Sequence, residues 1–259
     1  MADPAPTTPS ENLVGLIQHD PAILRLADLL SQRRRVVATG ALGSIVALTA
    51  GAVLRATNRP VVLVLAHVDD ADEALDELSG AGVPALRLPA LETLPGESNV
   101  SMELFAERLS TVRAVSELKD PAVIIAPIQA LMQPAVDPSR LGSLIRTVRR
   151  DETVKLQELI AWLGSAGYTR VEAVEEPGDF ALRGGILDVF PPTGPDAGGA
   201  ATPVRLDFFG DQVERIAEID LDTMATDRAV ERVDLVVADA GFAGTVVHHT
   251  GGGMQADDE

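Results

Sequence analysis

The sequence predicts an α/β protein in two parts: a first domain on a mainly parallel sheet covered by helices, then a smaller α+β domain. Three observations carry this reading. Between residues 61 and 126, short continuous apolar runs alternate with longer segments whose apolar residues recur at helical spacing, the βαβα succession of a parallel sheet. After Pro138 the strand-like segments switch to alternation and are separated by tight turns, with one helix between Thr153 and Ser165. Within that second part, residues 204–209, the pair Gly210-Asp211 and residues 212–216 have the form of a β-hairpin with a two-residue, glycine-led turn.

In chain order, residues 1–12 are rich in Pro, Thr and Ser and predict a disordered leader. Residues 21–33 place Ile23, Leu24, Leu26, Leu29 and Leu30 at helical recurrence. Val36, Val37 and Ala38 predict a short strand, residues 44–56 a helix and residues 61–66 a buried strand. The next helix has Asp70 and Glu73 spaced as N-cap and N3, with Ala71, Ala74, Leu75 and Leu78 on one face. Residues 85–88 predict a strand, 101–118 a helix and 123–126 a continuous apolar strand. Residues 191–203, rich in Pro, Gly and Ala, predict a mobile loop, and the last ten residues have no periodicity. The expected division is a leader over 1–20, the α/β domain over 21–138, the α+β domain over 139–237, and a tail or cut start of a further segment over 238–259.

Composition narrows the function classes. With 46% hydrophobic residues the chain can bury a substantial core. Lys plus Arg number 21 against 39 Asp plus Glu, a net charge of −18, whereas a nucleic-acid binder usually carries a basic surface. Direct DNA binding is therefore disfavoured. The absence of cysteine removes disulfides, thiolate metal sites and cysteine nucleophiles together. No basic residue precedes an apolar run at the start, and the longest apolar stretch, from Ile45 to Leu54, is interrupted by Thr49 and Gly51 and is too short to span a bilayer. A cytoplasmic address and no membrane role are expected.

Most catalytic chemistry fails on inspection. Thr39-Gly40-Ala41-Leu42-Gly43-Ser44 at a helix start invites a phosphate-binding reading, since glycine admits the backbone and helix N-termini attract anions. A P-loop also needs Gly-Lys-Ser/Thr, and the only lysines, Lys119 and Lys155, are not preceded by glycine. Gly40 and Gly43 do not complete a dinucleotide fingerprint either, so the segment reads as a tight turn that lets helix pack on strand. Of His19, His67, His248 and His249, the adjacent pair lies in the unpatterned end, so no metal site is expected. The acidic clusters around Asp69–Glu73 and Glu172–Glu176 read as solvated faces, and no Gly-x-Ser-x-Gly elbow is present.

The 204–209 strand is more informative. Alternation sends Val204, Leu206 and Phe208 to one face and Arg205, Asp207 and Phe209 to the other. The apolar set belongs to the core, which leaves Phe209 on a polar face beside an arginine in a chain with only six Phe, one Trp and one Tyr. Either a helix or loop covers that face, or it binds a protein, because Phe and Arg are enriched in interfaces. The segment Phe180-Ala181-Leu182-Arg183 behaves alike, with Phe180 and Leu182 inward and Arg183 outward.

These residues carry a resemblance. Gly178-Asp179-Phe180-Ala181-Leu182-Arg183-Gly184-Gly185-Ile186-Leu187-Asp188-Val189-Phe190-Pro191, followed by Arg205-Leu206-Asp207-Phe208-Phe209-Gly210-Asp211, resembles the N-terminal region of bacterial transcription-repair coupling factors (Mfd), and the excision-repair protein UvrB has a related pattern. Glu92-Thr93-Leu94-Pro95, Arg108-Leu109-Ser110-Thr111, Ala126 to Gln133 and Ser165-Ala166-Gly167-Tyr168 are similar as well. The resemblance spans roughly residues 20–240. It implies a helicase-like domain of the RecA, P-loop NTPase type whose nucleotide site has degenerated, plus an inserted α+β domain of the UvrB interaction type that docks on UvrA. It also assigns the UvrA contacts to Arg183, Arg205 and Phe209, the residues that alternation turns outward, so that substituting them should spare the fold. No catalytic residue, cofactor or metal is implied. RNA polymerase and DNA would be engaged only through parts without a counterpart here, the full parent being an ATP-dependent DNA translocase. The alternatives are a free-standing UvrA-binding adaptor and a nucleotide-dependent enzyme built on the first domain.

Overall fold

The apolar faces find two separate cores in the computed structural model of the chain, which describes residues 9–91, 101–194 and 199–238. One compact unit comprises residues 1–90 and 114–134, the other residues 91–113 and 135–259. The first opens with helices α1 (Pro9–Ile17), α2 (Pro21–Ser31) and α3 (Ile45–Thr57). Asp20 starts α2 by accepting from the Ala22 amide at 2.8 Å, with Pro21 supplying a preset φ at the first position. Strand β1 (Val61–Leu65), helix α4 (Val68–Gly80) and strand β2 (Ala85–Arg87) follow. After α5 (Met102–Ser116), the chain returns through β3 (Val123–Pro127) and the short α6 (Ile128–Met132). The sheet runs β1-β3-β2, parallel throughout, with Val61 and Ala85 both opposite Val123. Its core is Leu78, Val123 and Ile125 with the small residues Ala47, Ala50, Ala71 and Ala74, which let α3 and α4 approach closely.

Four expectations are corrected in this unit. The expected leader is helical from Pro9 to Ile17, because Val14 is fully buried and Ile17 packs against the same core. Val36, Val37 and Ala38 form no strand: Val37 is 84% exposed, and without a partner strand β-propensity is overridden. The strand over 61–65 is only half-buried, through Val61, Leu63 and Leu65 on one face, with Val62 and Val64 exposed on the other. Helix α4 starts at Val68 with His67 at its N-cap, so Asp70 lies in the first turn, where a carboxylate complements the helix dipole, and not at the cap.

The second unit contains most of α5, then α7 (Leu141–Leu144), β4 (Ile145–Arg149), α8 (Leu156–Ser165), β5 (Thr169–Arg170), β6 (Asp179–Arg183) and β7 (Ile186–Val189). It ends with β8 (Val204–Phe209), β9 (Gln212–Ile219), β10 (Thr226–Ala229) and β11 (Arg232–Val236). Six strands form one sheet in the order β10-β9-β8-β7-β6-β5, antiparallel except for β5 with β6, while β4 and β11 form a separate antiparallel pair. The core joins Leu159 and Leu163 of α8 to Phe180, Leu187, Leu206 and Ile216 of the sheet and Leu235 of β11. Tyr168 is buried among them and donates from its hydroxyl to the Val236 carbonyl at 2.8 Å.

The division expected at residues 138 and 139 shifts to 134 and 135, and residues 91–113 group with the second unit. The reason is the face of α5 that carries Phe105, Ala106 and Leu109, which packs into the core of the second unit. Residues 191–194, expected at the start of a mobile loop, are buried. The remainder of that loop at 195–198, the Glu92–Pro95 motif, the His248-His249 pair and the tail from 239 lie outside the described residues. Among the described residues no helix is long and apolar enough to cross a membrane.

Candidate protein-interaction surface

Period-2 alternation gives the six-stranded sheet two different faces. One carries Phe180, Leu182, Leu187, Val189, Val204, Leu206 and Phe208 into the core. The opposite face is closed at one end by a small cluster of Val174, Ala181, Phe190 and Ile219, with Met224 against it. At the other end it is open. There both hairpins turn, β6 to β7 through Gly184-Gly185 and β8 to β9 through Gly210-Asp211. Gly210 has φ +61, the left-handed conformation that such a turn favours and that glycine adopts freely. Gly185 is required for a different reason: a Cβ there would stand 2.7 Å from the Phe208 carbonyl oxygen, where Phe208 N–H donates to the Gly185 carbonyl at 2.8 Å.

Strand register brings the three residues singled out in the sequence onto this one face. Arg183 lies opposite Ile186, which lies opposite Asp207, so these three form a row across β6, β7 and β8. Phe209 extends two residues beyond Asp207 on the same side and is 76% exposed. Arg205 sits one pair further in, opposite Asp188 on β7 and Ala217 on β9. Arg183 is therefore two strand spacings, about 10 Å, from β8 and within side-chain reach of the Phe209 neighbourhood.

The two arginines are not equivalent. The Arg183 guanidinium is exposed and donates to the Glu172 carbonyl at 2.7 Å, a neutral acceptor that leaves its charge available. Arg205 grips Asp188 with both prongs, Nε to Oδ1 at 2.7 Å and Nη2 to Oδ2 at 2.9 Å. The Asp188 side chain is only 2% exposed and that of Arg205 19%. The hydrogen bond to Asp188 holds the Arg205 guanidinium above its ordinary range, so it stays charged under all conditions where the protein folds. The expectation that all three side chains are dispensable to the fold is thus corrected for Arg205, whose partner is a buried carboxylate.

Two further surface residues belong to this face, and one of them escapes simple alternation. Ile186, 39% exposed, supplies apolar surface in the row between Arg183 and Asp207. Arg215 shares Asp207's row because the register shifts by one residue between Asp207 and Phe208. The detectable signal is Val213 and Ile216 spaced by three in a strand, which cannot both face the core without a bulge.

The glycine segment of the first unit presents a different picture. Gly40 and Gly43 have φ of +92 and +56, but the residues before them form no strand, and the Ser44 side chain makes no cap bond to α3. A cavity of about 190 Å³ beside Gly43 is lined by Asp70, Glu73 and Glu77, carboxylates that repel a polyphosphate. Among the described residues no group of three or more His, Cys, Asp or Glu is placed to hold a metal.

One face of the sheet lies in the core and the other is open and bears exposed Phe and Arg, and residues 147–240 match the UvrB interaction domain family. The chain is homologous over most of its length to proteins named transcription-repair-coupling factor. It is 32% identical over 181 residues to that of Escherichia coli strain K12, covering 69% of this chain and 15% of the relative. Against that of Mycobacterium bovis it is 30% identical over 246 residues, 91% of this chain and 19% of the relative. With that of Bacillus subtilis strain 168 it shares 29% over 188 residues, 71% of this chain and 15% of the relative. The matched region thus spans less than a fifth of each of these relatives.

Proposed function

We propose that this chain is the UvrA-binding, non-catalytic module of a transcription-repair coupling factor, recruiting nucleotide excision repair to stalled RNA polymerase from the cytoplasm. The observation that carries the reading is the exposed Phe209 and the available charge of Arg183 on one open sheet face, within the residues that match the UvrB interaction domain. A rigid aromatic flanked by a guanidinium is the composition of a binding hot spot. Arg205 contributes through its grip on Asp188, which orders the centre of the face. The first unit is read as a helicase-like, RecA-type sheet whose nucleotide site has degenerated: its glycines lack the lysine of a P-loop, and the adjoining cavity is acidic. ATP-driven translocation, and contacts with RNA polymerase and DNA, are assigned to other regions of a full-length coupling factor.

The test is a calorimetric titration of UvrA against the wild type, Phe209→Ala and Arg183→Ala, with circular dichroism as folding control. Each substitution is expected to weaken binding by about tenfold or more, since 1.4 kcal/mol is one decade and a buried aromatic anchor contributes about 2 kcal/mol. Unchanged affinity in both folded variants sinks the assignment.

A further inference from the structure

We propose that Arg215 is a second recognition arginine, turned onto the open face by a β-bulge, which extends the surface across β9 and selects an acidic protein partner; the inference rests on the protein-binding reading above. Uninterrupted alternation from the turn would run Gln212 out, Val213 in, Glu214 out and Arg215 in, burying a guanidinium in an apolar core. The register prevents this. Phe208 pairs with Val213 but Asp207 pairs with Arg215, so Glu214 is the extra residue and both Glu214 and Arg215 are exposed. Val213 and Ile216 on either side of them are fully buried. The bulge therefore gives the core its two apolar residues and the open face one additional arginine, the re-aiming for which bulges are used near functional sites.

The result is a row of Arg183, Ile186, Asp207 and Arg215 across four adjacent strands, with Phe209 at its edge. Three strand spacings separate the two end arginines, about 14 Å between their backbones. Each end guanidinium is held by one neutral oxygen, Arg183 on the Glu172 carbonyl and Arg215 on the Thr226 hydroxyl at 3.1 Å. Among the described residues neither has an ion-pair partner, whereas Arg205, one row further in, is committed to Asp188. In a chain of net charge −18, two uncommitted guanidinium groups flanking apolar Ile186 and Phe209 are complementary to carboxylates flanking an apolar strip. The Asp207 carboxylate in the middle of the row, with Ile186 beside it, favours such a protein surface over a phosphate backbone.

The experiment is a UvrA titration of the intact chain carrying Arg215→Gln, Arg215→Glu or Phe209→Ala, at low and high salt. Arg215→Gln is expected to weaken binding about fivefold and to flatten its salt dependence, and Arg215→Glu by on the order of a hundredfold, because a like charge facing carboxylates costs several kcal/mol. Wild-type affinity in both Arg215 variants while Phe209→Ala binds weakly overturns the inference and leaves the UvrA reading standing. Wild-type affinity in all three overturns both. Binding to a duplex oligonucleotide that is lost in Arg215→Gln also overturns it, since the surface would then be a phosphate site. Circular dichroism and Trp162 fluorescence confirm folding, which an exposed position should not disturb.

Discussion

Replacing Arg205 by alanine should harm the fold more than any other substitution on the open face. The carboxylate it leaves behind belongs to Asp188, whose side chain is 2% exposed and which Arg205 holds through two charged hydrogen bonds of 2.7 and 2.9 Å. Removing one member of a buried ion pair costs about 3–5 kcal/mol, because the remaining charge loses its partner without regaining water. The partial exposure of Arg205, 19%, lets solvent into the vacated space, which puts the expected loss at the lower end, about 3 kcal/mol. Removing both charges is a different matter: Asp188→Leu with Arg205→Met keeps the volume apolar and should recover most of the loss. Equilibrium urea denaturation is the assay, with fluorescence of Trp162, the only tryptophan, which packs against the core of this unit. An Arg205→Ala variant that unfolds at the wild-type urea concentration refutes this account, and so does a double variant no more stable than the single one. Where the loss is observed, weak UvrA binding by Arg205→Ala reports a damaged sheet as much as a lost contact.

Tyr168 provides a pH prediction. Burial raises its phenol above the ordinary value of about 10, so the neutral form is favoured by folding; that stability is complete below about pH 10 and is lost as pH climbs beyond it. As Tyr168 is the only tyrosine, tyrosinate absorbance should rise together with loss of the circular dichroism signal, and tyrosinate forming in a still-folded chain contradicts this. Tyr168→Phe should delay the alkaline transition while losing about 1 kcal/mol at neutral pH from the bond to Val236, measurable by urea denaturation. Gly185→Ala should destabilise by about 1–3 kcal/mol, since its Cβ would press on the Phe208 carbonyl within the ladder, and a thermal melt at the wild-type temperature argues against that contact. Titration with ATP should give no saturable heat; a micromolar dissociation constant abolished by Gly43→Leu would restore the nucleotide-dependent enzyme.

Legibility in the sequence followed the strength of the local pattern. The parallel strands of the first unit were readable from their continuous apolar runs, and α3 and α4 from their helical stripes. The β8–β9 hairpin was readable because Gly210-Asp211 specifies the turn and the alternation along β8 specifies the face. The strand at residues 36–38 failed because a three-residue apolar run says nothing of a pairing partner. Helix α1 was missed because Pro, Thr and Ser obscure a short helix that depends on burying Val14. The division went astray at α5, since a helix does not announce which of two cores its Phe105 and Leu109 will enter. On the candidate surface, Arg183 and Phe209 could be placed by parity alone, but the Arg205–Asp188 pair needs the register of β7 against β8, and Arg215 needs the bulge.

That register explains how a single sheet can serve stability and recognition without conflict. Each strand commits alternate residues to the core, and those residues tolerate little change, since truncating a buried Leu such as Leu187 or Leu206 costs about 2–5 kcal/mol. The intervening positions at the hairpin end are exposed, so Phe209, Arg183, Ile186 and Arg215 can be chosen for a partner at little cost to folding. One row further in, the same face is closed by Ala181, Phe190 and Ile219, and a charge placed there must bring its own counter-charge. Arg205 with Asp188 meets that requirement, standing at the boundary between the closed and the open halves of the face. Substitutions of the open-face side chains should therefore fall into two classes by position along the strands: at Phe209, Arg183, Ile186 and Arg215 they change affinity first, and at Arg205 or before it they change stability first.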